Sequence, residues 1–370
     1  MFRPALIFCL LMSTGFFGSA SAQTKIAVWN MEAELSESLE DRIQDFSEFA
    51  SQIQPDIVVL VEVNGEEGTK AFADQLGWSE KFFVTSDLSE LSTTVFFALE
   101  MAVISKFPIE KAIEYDASVD GAHVIRDHTG ATQMVEELEL KSDGIPHFGQ
   151  PLKSTDRGTI RVDLANGLSI FPIHLKSNRV GECSTPREAL KTIRDNGFAL
   201  SSALEEQLEQ AGSIGFPTAT QEHLTNAAKR ERVMAAIVRE AEKAIDEGRV
   251  VVFAGDFNTA FEPGKKGSDP SDCTLQDFSC AKAPFPADAC TSGDGFDDTL
   301  GILDSALVGP TTWTVLSDTL GRTYDDEAFA DKAIDHIVVA EQHASDFAIA
   351  EKADSTFGSD HFPVITHFGN

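Results

Sequence analysis

The sequence predicts an α/β fold in which helices cover the faces of β-sheets. Two observations carry this prediction: short apolar segments typical of buried strands alternate with segments whose apolar residues recur at helical spacing, and the alternation appears both early and late in the chain. Of the 370 residues, 42% are hydrophobic and 27 are Phe, which is ample material for a large core. Global disorder is therefore excluded.

The first strand–helix–strand unit lies near the N-terminus. Lys25 to Trp29 and Asp56 to Val63 are predicted as strands, and Pro55 ends the helix between them. The apolar face of that helix consists of Leu39, Ile43, Phe46, Phe49 and Ile53. Such a unit predicts two neighbouring strands joined by a covering helix.

A second unit lies late in the chain. An apolar helix face formed by Val233, Ile237, Ala241 and Ile245 ends at Gly248, and a buried-type strand follows from Val250 to Ala254. Further strands are predicted at Thr94 to Ile104, Thr159 to Leu164, Leu168 to His174, Ile334 to Val339 and Val364 to Phe368. Three long segments near 113–157, 177–228 and 262–331 separate these elements and are predicted to be insertions.

Residues 1–22 differ in kind from the rest of the chain. Arg3 is their only charge, Ala5 to Gly18 is nearly continuously apolar, and small residues precede Gln23. This pattern predicts a secretory signal peptide, with an uncleaved anchor as the alternative, and one mature domain over 23–370. We expect a secreted or periplasmic protein, monomeric, with no stable membrane insertion and no protein partner.

Export changes how the cysteines are interpreted. Four remain in the mature chain, namely Cys183, Cys273, Cys280 and Cys290. An even number in an oxidising compartment predicts two disulfides, with three pairings open. Zinc is the competing interpretation, but no Cys-x-x-Cys pair and no neighbouring His supports it.

The charge is strongly acidic, with 29 Lys and Arg against 60 Asp and Glu and a formal net charge of −31. Such a balance argues against polyanion binding through diffuse positive charge. The segment 262–331 holds 14 acids and 4 bases, whereas the span 151–194 is basic. Either a solvated face or a local phosphate-binding cleft accounts for the basic span.

Several predicted strands end in polar residues. Asn30 follows the first strand, Glu62 lies near the end of the second, and Asp256 and Asn258 follow Val250 to Ala254. Ligands of open α/β sheets bind outside the carboxyl ends of strands, and these oxygen donors suit Mg²⁺, Mn²⁺ or Ca²⁺. A lone Asp-x-Asn is otherwise a turn.

Two histidines lie in unusual surroundings. His174 closes a strand ahead of Leu-Lys-Ser, and His361 follows Asp360 in Gly-Ser-Asp-His-Phe-Pro. Asp335 and His336 open a later strand. Imidazole beside a carboxylate is a proton-transfer arrangement, so His174 and His361 are candidate catalytic residues, whereas the other histidines are interpreted as structural.

These blocks occur in the order found in the endonuclease/exonuclease/phosphatase superfamily, which the chain resembles from residue 24 to its end. The blocks are Asn30, Glu62, Ile-His-Leu-Lys-Ser at 173–177, Gly-Asp-Phe-Asn at 255–258, Ile-Asp-His-Ile at 334–337 and Ser-Asp-His-Phe-Pro-Val at 359–364. The resemblance implies a four-layered α/β sandwich of the deoxyribonuclease I-like type, with two packed central sheets flanked by helices. It also implies a divalent-metal phosphoesterase.

The resemblance implies a role for each matching residue. Glu62 resembles the principal metal ligand, with Asn30 and Asp360 in the metal shell. Asp256 and Asn258 resemble the pair that orients the attacking water and a phosphate oxygen or second metal. His361, oriented by Asp335, resembles the catalytic histidine. His174 resembles the second histidine, which stabilises the phosphoryl oxygens or protonates the leaving oxygen.

Arg157 and Lys176 are hypothesised to contact phosphate oxygens because both belong to the basic span.

The leading prediction is an exported, Mg²⁺-dependent phosphodiesterase that hydrolyses nucleic acid. The alternatives are a sphingomyelinase-type phospholipase C, a phosphomonoesterase, or a non-catalytic acidic protein that binds Ca²⁺ at the run 292–298. The general base, Asp256 or His361, stays open.

Overall fold

The structure is a computed structural model. The described ranges are 23–32, 38–63, 65–77, 82–86, 100–116, 124–127, 132–134, 136–139, 158–175, 216–259, 299–304, 308–325 and 333–369. The predicted signal peptide, the four mature cysteines, Arg157, Lys176 and the run 292–298 lie outside these ranges.

The described residues form fifteen strands and three α-helices. The strands are β1 (Thr24–Asn30), β2 (Ile57–Val63), β3 (Phe82–Thr85), β4 (Glu100–Ser105), β5 (Ile109–Asp116), β6 (Val124–Asp127), β7 (Thr132–Met134), β8 (Glu136–Glu139), β9 (Thr159–Leu164), β10 (Leu168–His174), β11 (Val250–Asp256), β12 (Trp313–Val315), β13 (Asp335–Ala340), β14 (Glu351–Lys352) and β15 (Val364–Phe368). The helices are α1 (Leu39–Ile53), α2 (Gly65–Gln75) and α3 (Phe216–Asp246), with short 3-10 helices at Gly301–Asp304 and Glu341–Asp346.

The strands form two mixed sheets. One has the order β14-β15-β1-β2-β4-β3-β6-β7, and the other has the order β12-β13-β11-β10-β9-β5-β8. The neighbours β1 and β2, β10 and β11, and β5 and β8 run parallel. Parallel neighbours end at the same edge of a sheet, so each sheet presents at least one pair of adjacent carboxyl ends.

The two sheets pack face to face, and helices cover their outer faces. Val28 and Val59 of the first sheet meet Ile170 and Val252 of the second in the inter-sheet core. The outer face of the first sheet packs on α1 and α2, and that of the second packs on α3. This arrangement confirms the predicted four-layered α/β sandwich.

Side-chain alternation along β2 explains why its sequence is continuously apolar. Ile57 and Val59 enter the inter-sheet core, while Val58 and Leu60 pack toward α1. Both faces of a central strand are buried here, so both sets of positions must be apolar.

The predicted elements agree closely with the structure at the centre of the fold. Strands β9, β10 and β15 have the predicted bounds. The first helix also agrees with its prediction: it begins after the N-cap Ser38 and ends at Ile53, and its C-cap Gln54 adopts the left-handed conformation before Pro55. The predicted strand from Thr94 is described from Glu100.

Parts of the three predicted insertions belong to the fold. Strands β5 to β8 extend the sheets through 109–139, and α3 begins at Phe216. Leu300, Leu303 and Trp313 are buried in the core beneath α3. Their isolated apolar positions show no helical or strand periodicity, so the sequence pattern did not predict them. Among the described residues, no helix combines the length and apolar character needed to cross a membrane.

Candidate active site

Strand register places three functional side chains side by side at one edge of the second sheet. The parallel pairing of β10 with β11 sets His174 opposite Asp256. The antiparallel pairing of β11 with β13 then sets Asp256 opposite Asp335. All three residues are buried, so their polar atoms must find partners within the protein.

The first sheet contributes Asn30 and Glu62 at the facing edge. Asn30 is the last residue of β1. Glu62 lies where the β2–β4 register shifts between Val61 and Val63, and its φ is 58°. A bulge of this kind re-aims a side chain, here toward the second sheet.

Hydrogen bonds join the two sheets at this edge. Glu62 Oε1 lies 3.1 Å from His174 Nε2. The Asn30 Nδ2 amide group donates to Glu62 Oε1 at 3.2 Å and to Asp256 Oδ2 at 3.3 Å. The Asn30 side-chain oxygen Oδ1 accepts from the Glu32 N–H at 3.0 Å. In this arrangement Asn30 bridges two acids through its N–H groups, and its oxygen faces the backbone.

His361 enters the cluster from the loop before β15. Its Nδ1 lies 2.8 Å from Asp335 Oδ2, while its Nε2 lies 3.4 Å from Asn30 Nδ2 and 3.6 Å from Asp360 Oδ1. The Ser359 hydroxyl accepts from the His361 backbone N–H at 3.0 Å and donates to the Asn30 backbone carbonyl at 2.7 Å. The imidazole is therefore held at one nitrogen and presents the other to the cluster.

Asn258 supports Asp256 in this structure. The Asn258 backbone N–H donates to Asp256 Oδ1 at 2.7 Å, and its side-chain amide donates to Asp256 Oδ2 at 2.8 Å and to the Leu175 carbonyl at 3.1 Å. Its φ of 51° is one that Asn tolerates better than most residues. The Asp256 carboxylate thus has a defined orientation.

Burial and neighbouring charge perturb the acids and the histidine of the cluster. Burial, reinforced by Asp335, raises the pKa of Asp256 to about 7. Burial also raises the pKa of Asp360. For His361, burial opposes protonation, but Asp335, Asp256 and Asp360 outweigh it and raise the pKa to about 10. Strong perturbation of several adjacent groups is typical of a functional site.

Comparison with protein families agrees with this geometry. The profile of the Endonuclease/Exonuclease/phosphatase family matches residues 27–361, which spans every described residue of the cluster. The chain belongs to this family. It is therefore a hydrolase of a group named for nucleases and phosphatases.

Several solved structures are similar to this family member. An AP endonuclease from Archaeoglobus fulgidus has a TM-score of 0.49 and 14% identity, covering 93% of this chain and 99% of that chain. A 3'-5' exonuclease from Neisseria meningitidis has a TM-score of 0.46 and 16% identity, covering 94% and 100%. An endonuclease/exonuclease/phosphatase from Bacteroides vulgatus has a TM-score of 0.48 and 13% identity, covering 94% and 98%. No curated protein sequence matches the chain.

The cluster of this family member fits a divalent cation. Ligand atoms of Glu62, His174 and Asp256 lie within 4.8 Å of one another, as do those of Asp256, Asp335 and His361. Asp335 Oδ1 and Asp360 Oδ1 are buried and accept no hydrogen bond from the described residues. Buried carboxylate oxygens of this kind match the oxygen donors that Mg²⁺ and Mn²⁺ prefer.

The predicted site residues divide into two sets. The structure brings together Asn30, Glu62, His174, Asp256, Asn258, Asp335, Asp360 and His361. Arg157 and Lys176 stay predictions, since they lie outside the described residues. Asp360 belongs to neither of these two groups of ligand atoms, so its pairing with Glu62 around a metal stays a prediction.

Four supporting residues were not predicted from the sequence. Glu32 accepts the Asp360 N–H at 2.9 Å, and the Trp29 indole N–H donates to the His361 carbonyl at 3.3 Å. Ser359 joins Asn30 to His361, and Tyr324 packs against His361. Ser359 falls inside the Ser-Asp-His block and was available as a signal. Tyr324 lies in a predicted insertion, and nothing in the sequence around it indicated a role in the site.

Proposed function

We propose that this protein is an exported, divalent-metal-dependent phosphodiesterase that hydrolyses the nucleic-acid backbone by in-line attack of water. One observation carries the proposal: the Asp335–His361 pair presents Nε2 to a buried cluster that contains Asp256 and the Asn30–Glu62 bridge. Oriented imidazole, carboxylates and amide N–H groups are the parts that phosphodiester hydrolysis needs.

We assign a separate role in the reaction to each residue of the cluster. Glu62, Asp256 and Asp360 would supply carboxylates for Mg²⁺, or for Mn²⁺ or Ca²⁺, and a bound cation would neutralise the phosphate charge and polarise a phosphoryl oxygen. Asp256 and His361 both face the centre of the cluster. A cation bound there would lower the pKa of both groups, and either one would then be placed to take the proton of the attacking water. His174, held by Glu62, is placed to stabilise the phosphoryl oxygens or to protonate the leaving oxygen. Asn258, Arg157 and Lys176 are proposed as phosphate contacts.

A substrate panel tests this function. We expect the purified protein to nick supercoiled plasmid when Mg²⁺, Mn²⁺ or Ca²⁺ is present, and to lose that activity in His361→Ala. His343→Ala is the matched control, because His343 is a partly exposed histidine paired with Asp346 outside the cluster. Plasmid that stays intact with every metal would contradict the proposal that the protein is a nuclease.

The same panel separates the alternatives. Release of phosphocholine from sphingomyelin vesicles would indicate the phospholipase C class, and hydrolysis of a chromogenic phosphomonoester would indicate a phosphatase. Equal activity of wild type and His361→Ala on every substrate would overturn the site assignment. A protein inactive on all of them would favour the non-catalytic interpretation.

The proposal of export depends on the composition of residues 1–22. Full-length protein expressed in a bacterial host should be recovered outside the cytoplasm with Gln23 as its first residue, as read by N-terminal sequencing. The mature protein should contain two disulfides and no free thiol. Recovery of the full chain in the cytoplasm would contradict this localisation.

A further inference from the structure

We infer that Tyr324 is a positioning residue that holds the Asp360 carboxylate in the orientation needed to bind the divalent metal. This inference rests on the proposed function, since it concerns the same site. Tyr324 lies in the short segment Thr323–Asp325, which precedes β13 and runs along the loop that carries Asp360 and His361.

Backbone pairing fixes the segment to that loop. Tyr324 forms an antiparallel bridge with His361. The Phe362 N–H donates to the Thr323 carbonyl at 2.7 Å, and the Asp325 N–H donates to the Asp360 carbonyl at 2.6 Å. Pairing on both sides of the bridge sets where the Tyr324 side chain can reach.

The side chain of Thr323 ties the same segment to the start of β13. Its buried hydroxyl oxygen accepts from the Ile334 N–H at 3.0 Å and from the Asp335 N–H at 3.1 Å. Both members of the Asp335–His361 pair are therefore anchored to one short segment. The segment has a defined place relative to the cluster because it is held at two points.

Tyr324 makes two separable side-chain contacts with the cluster. Its ring packs edge-on against the His361 imidazole, with centroids 4.9 Å apart and an interplanar angle of 75°. Its hydroxyl donates to the Asp360 carboxylate. The first contact needs only the ring, and the second needs only the hydroxyl.

The hydroxyl contact leaves one carboxylate oxygen for a cation. Asp360 Oδ1 is buried, accepts no hydrogen bond from the described residues and lies 3.6 Å from His361 Nε2. Glu32 holds the Asp360 backbone N–H, so the main chain of Asp360 is already fixed. Rotation of the carboxylate is then limited by its side-chain partners, which are the Tyr324 hydroxyl and Glu32. Partners that orient a metal ligand typically change metal affinity 10- to 100-fold, as an order of magnitude.

The test is Mn²⁺ binding by isothermal titration calorimetry with metal-free Tyr324→Phe. This variant keeps the ring on His361 and removes only the hydroxyl. We expect the dissociation constant for Mn²⁺ to rise about tenfold with an unchanged melting temperature of the metal-free protein. The matched control is Tyr115→Phe, because Tyr115 is the other of the two tyrosines in the sequence and its hydroxyl contacts Arg161 and Glu240 instead of the cluster.

A double-mutant cycle shows whether Tyr324 acts through Asp360. In an Asp360→Asn background, Tyr324→Phe should have little further effect on the dissociation constant. Wild-type affinity in Tyr324→Phe, or full additivity with Asp360→Asn, would overturn the inference. A wild-type protein that binds no Mn²⁺ would overturn the inference as well. A wild type that binds Mn²⁺ but hydrolyses no nucleic acid would contradict the proposed function alone.

Discussion

At the scale of single residues, the site depends on one carboxylate–imidazole pair. Asp335 lies 2.8 Å from His361 Nδ1 and is itself buried. Burial alone would favour the neutral imidazole, but the neighbouring acids reverse that effect and raise the pKa of His361 to about 10. The pair therefore sets both the orientation of the ring and its charge.

Asp335→Asn tests this dependence. Asparagine keeps the shape but removes the negative charge, so we expect the pKa of His361 to fall and turnover to drop by roughly a hundredfold or more. An NMR titration of the histidine ring signals and a steady-state assay measure the two effects. Asp346→Asn is the control, since it alters a similar Asp–His pair outside the cluster. Unchanged turnover in Asp335→Asn would contradict a role for the pair.

His336 follows Asp335 in β13, and its pKa is shifted in the opposite direction from that of His361. Its ring is fully buried, with Nε2 3.0 Å from the Thr259 carbonyl and Nδ1 2.9 Å from the Ser317 hydroxyl. The carbonyl accepts from Nε2–H and the hydroxyl donates to Nδ1, so the pattern fits neutral imidazole. Burial lowers the pKa of His336 to about 4.

This lowered pKa predicts acid sensitivity. Between pH 6.5 and about 4 the unfolded chain protonates this histidine and the folded chain does not. The stability that neutral His336 contributes is therefore complete above pH 6.5 and is lost as the pH falls through that window, by up to about 3 kcal/mol. Urea unfolding at several pH values should show a smaller loss for His336→Gln than for wild type. Identical pH profiles for the two proteins would show that His336 does not cause the acid sensitivity.

At the scale of elements, the close approach of β10 and β11 places the catalytic groups. A Cβ atom at Gly255 would lie 1.9 Å from the Ile173 carbonyl oxygen on the neighbouring strand. Glycine is thus required immediately before Asp256, and it allows the register that sets Asp256 opposite His174.

Gly255→Ala should force the two strands apart. We expect a loss of at least about 2 kcal/mol in the free energy of unfolding, together with reduced activity. Gly321→Ala is the control, because a Cβ there meets nothing within 4 Å and the backbone has no positive φ. Equal stability of the two variants in urea denaturation would show that the strands tolerate the added methyl group.

At the scale of the whole molecule, the site is formed where two sheets meet and bring four acidic side chains close together. Glu62 comes from the first sheet, Asp256 and Asp335 come from the second, and Asp360 comes from the loop before β15. Like charges this close repel, and Asp335 and Glu62 both raise the pKa of Asp256 in addition to the effect of its burial. A divalent cation would relieve this repulsion and link the two layers.

Metal binding should therefore stabilise the entire fold. At a Mn²⁺ concentration of about 100 times the dissociation constant, we expect about 2.7 kcal/mol of added stability, visible as a higher melting temperature. Glu62→Gln should abolish most of this gain, whereas Glu67→Gln, an exposed acid on α2, should keep it. A melting temperature that does not respond to Mn²⁺ would argue against a metal at the cluster.

Much of the fold could be predicted from sequence because its central strands and helices have clear periodicity. The polar residues at strand ends could be predicted as well, since chemistry at those positions follows from chain direction. Tyr324 and Thr323 could not, because they lie in a segment without periodicity and act on residues far along the chain. The orientation of the Asn30 side-chain amide could not be predicted either, because Oδ1 is held by the Glu32 N–H.

The sequence by itself determined the α/β class, the family resemblance and the set of acids, amides and histidines available for chemistry. Only the tertiary structure decided their partners: Glu62 beside His174, Asn30 between two acids, and Asp335 against His361. The physical reason is that hydrogen bonds act over about 3 Å, whereas these residues are distant in the chain. Strand register, one bulge in β2 and the packing of two sheets set those distances.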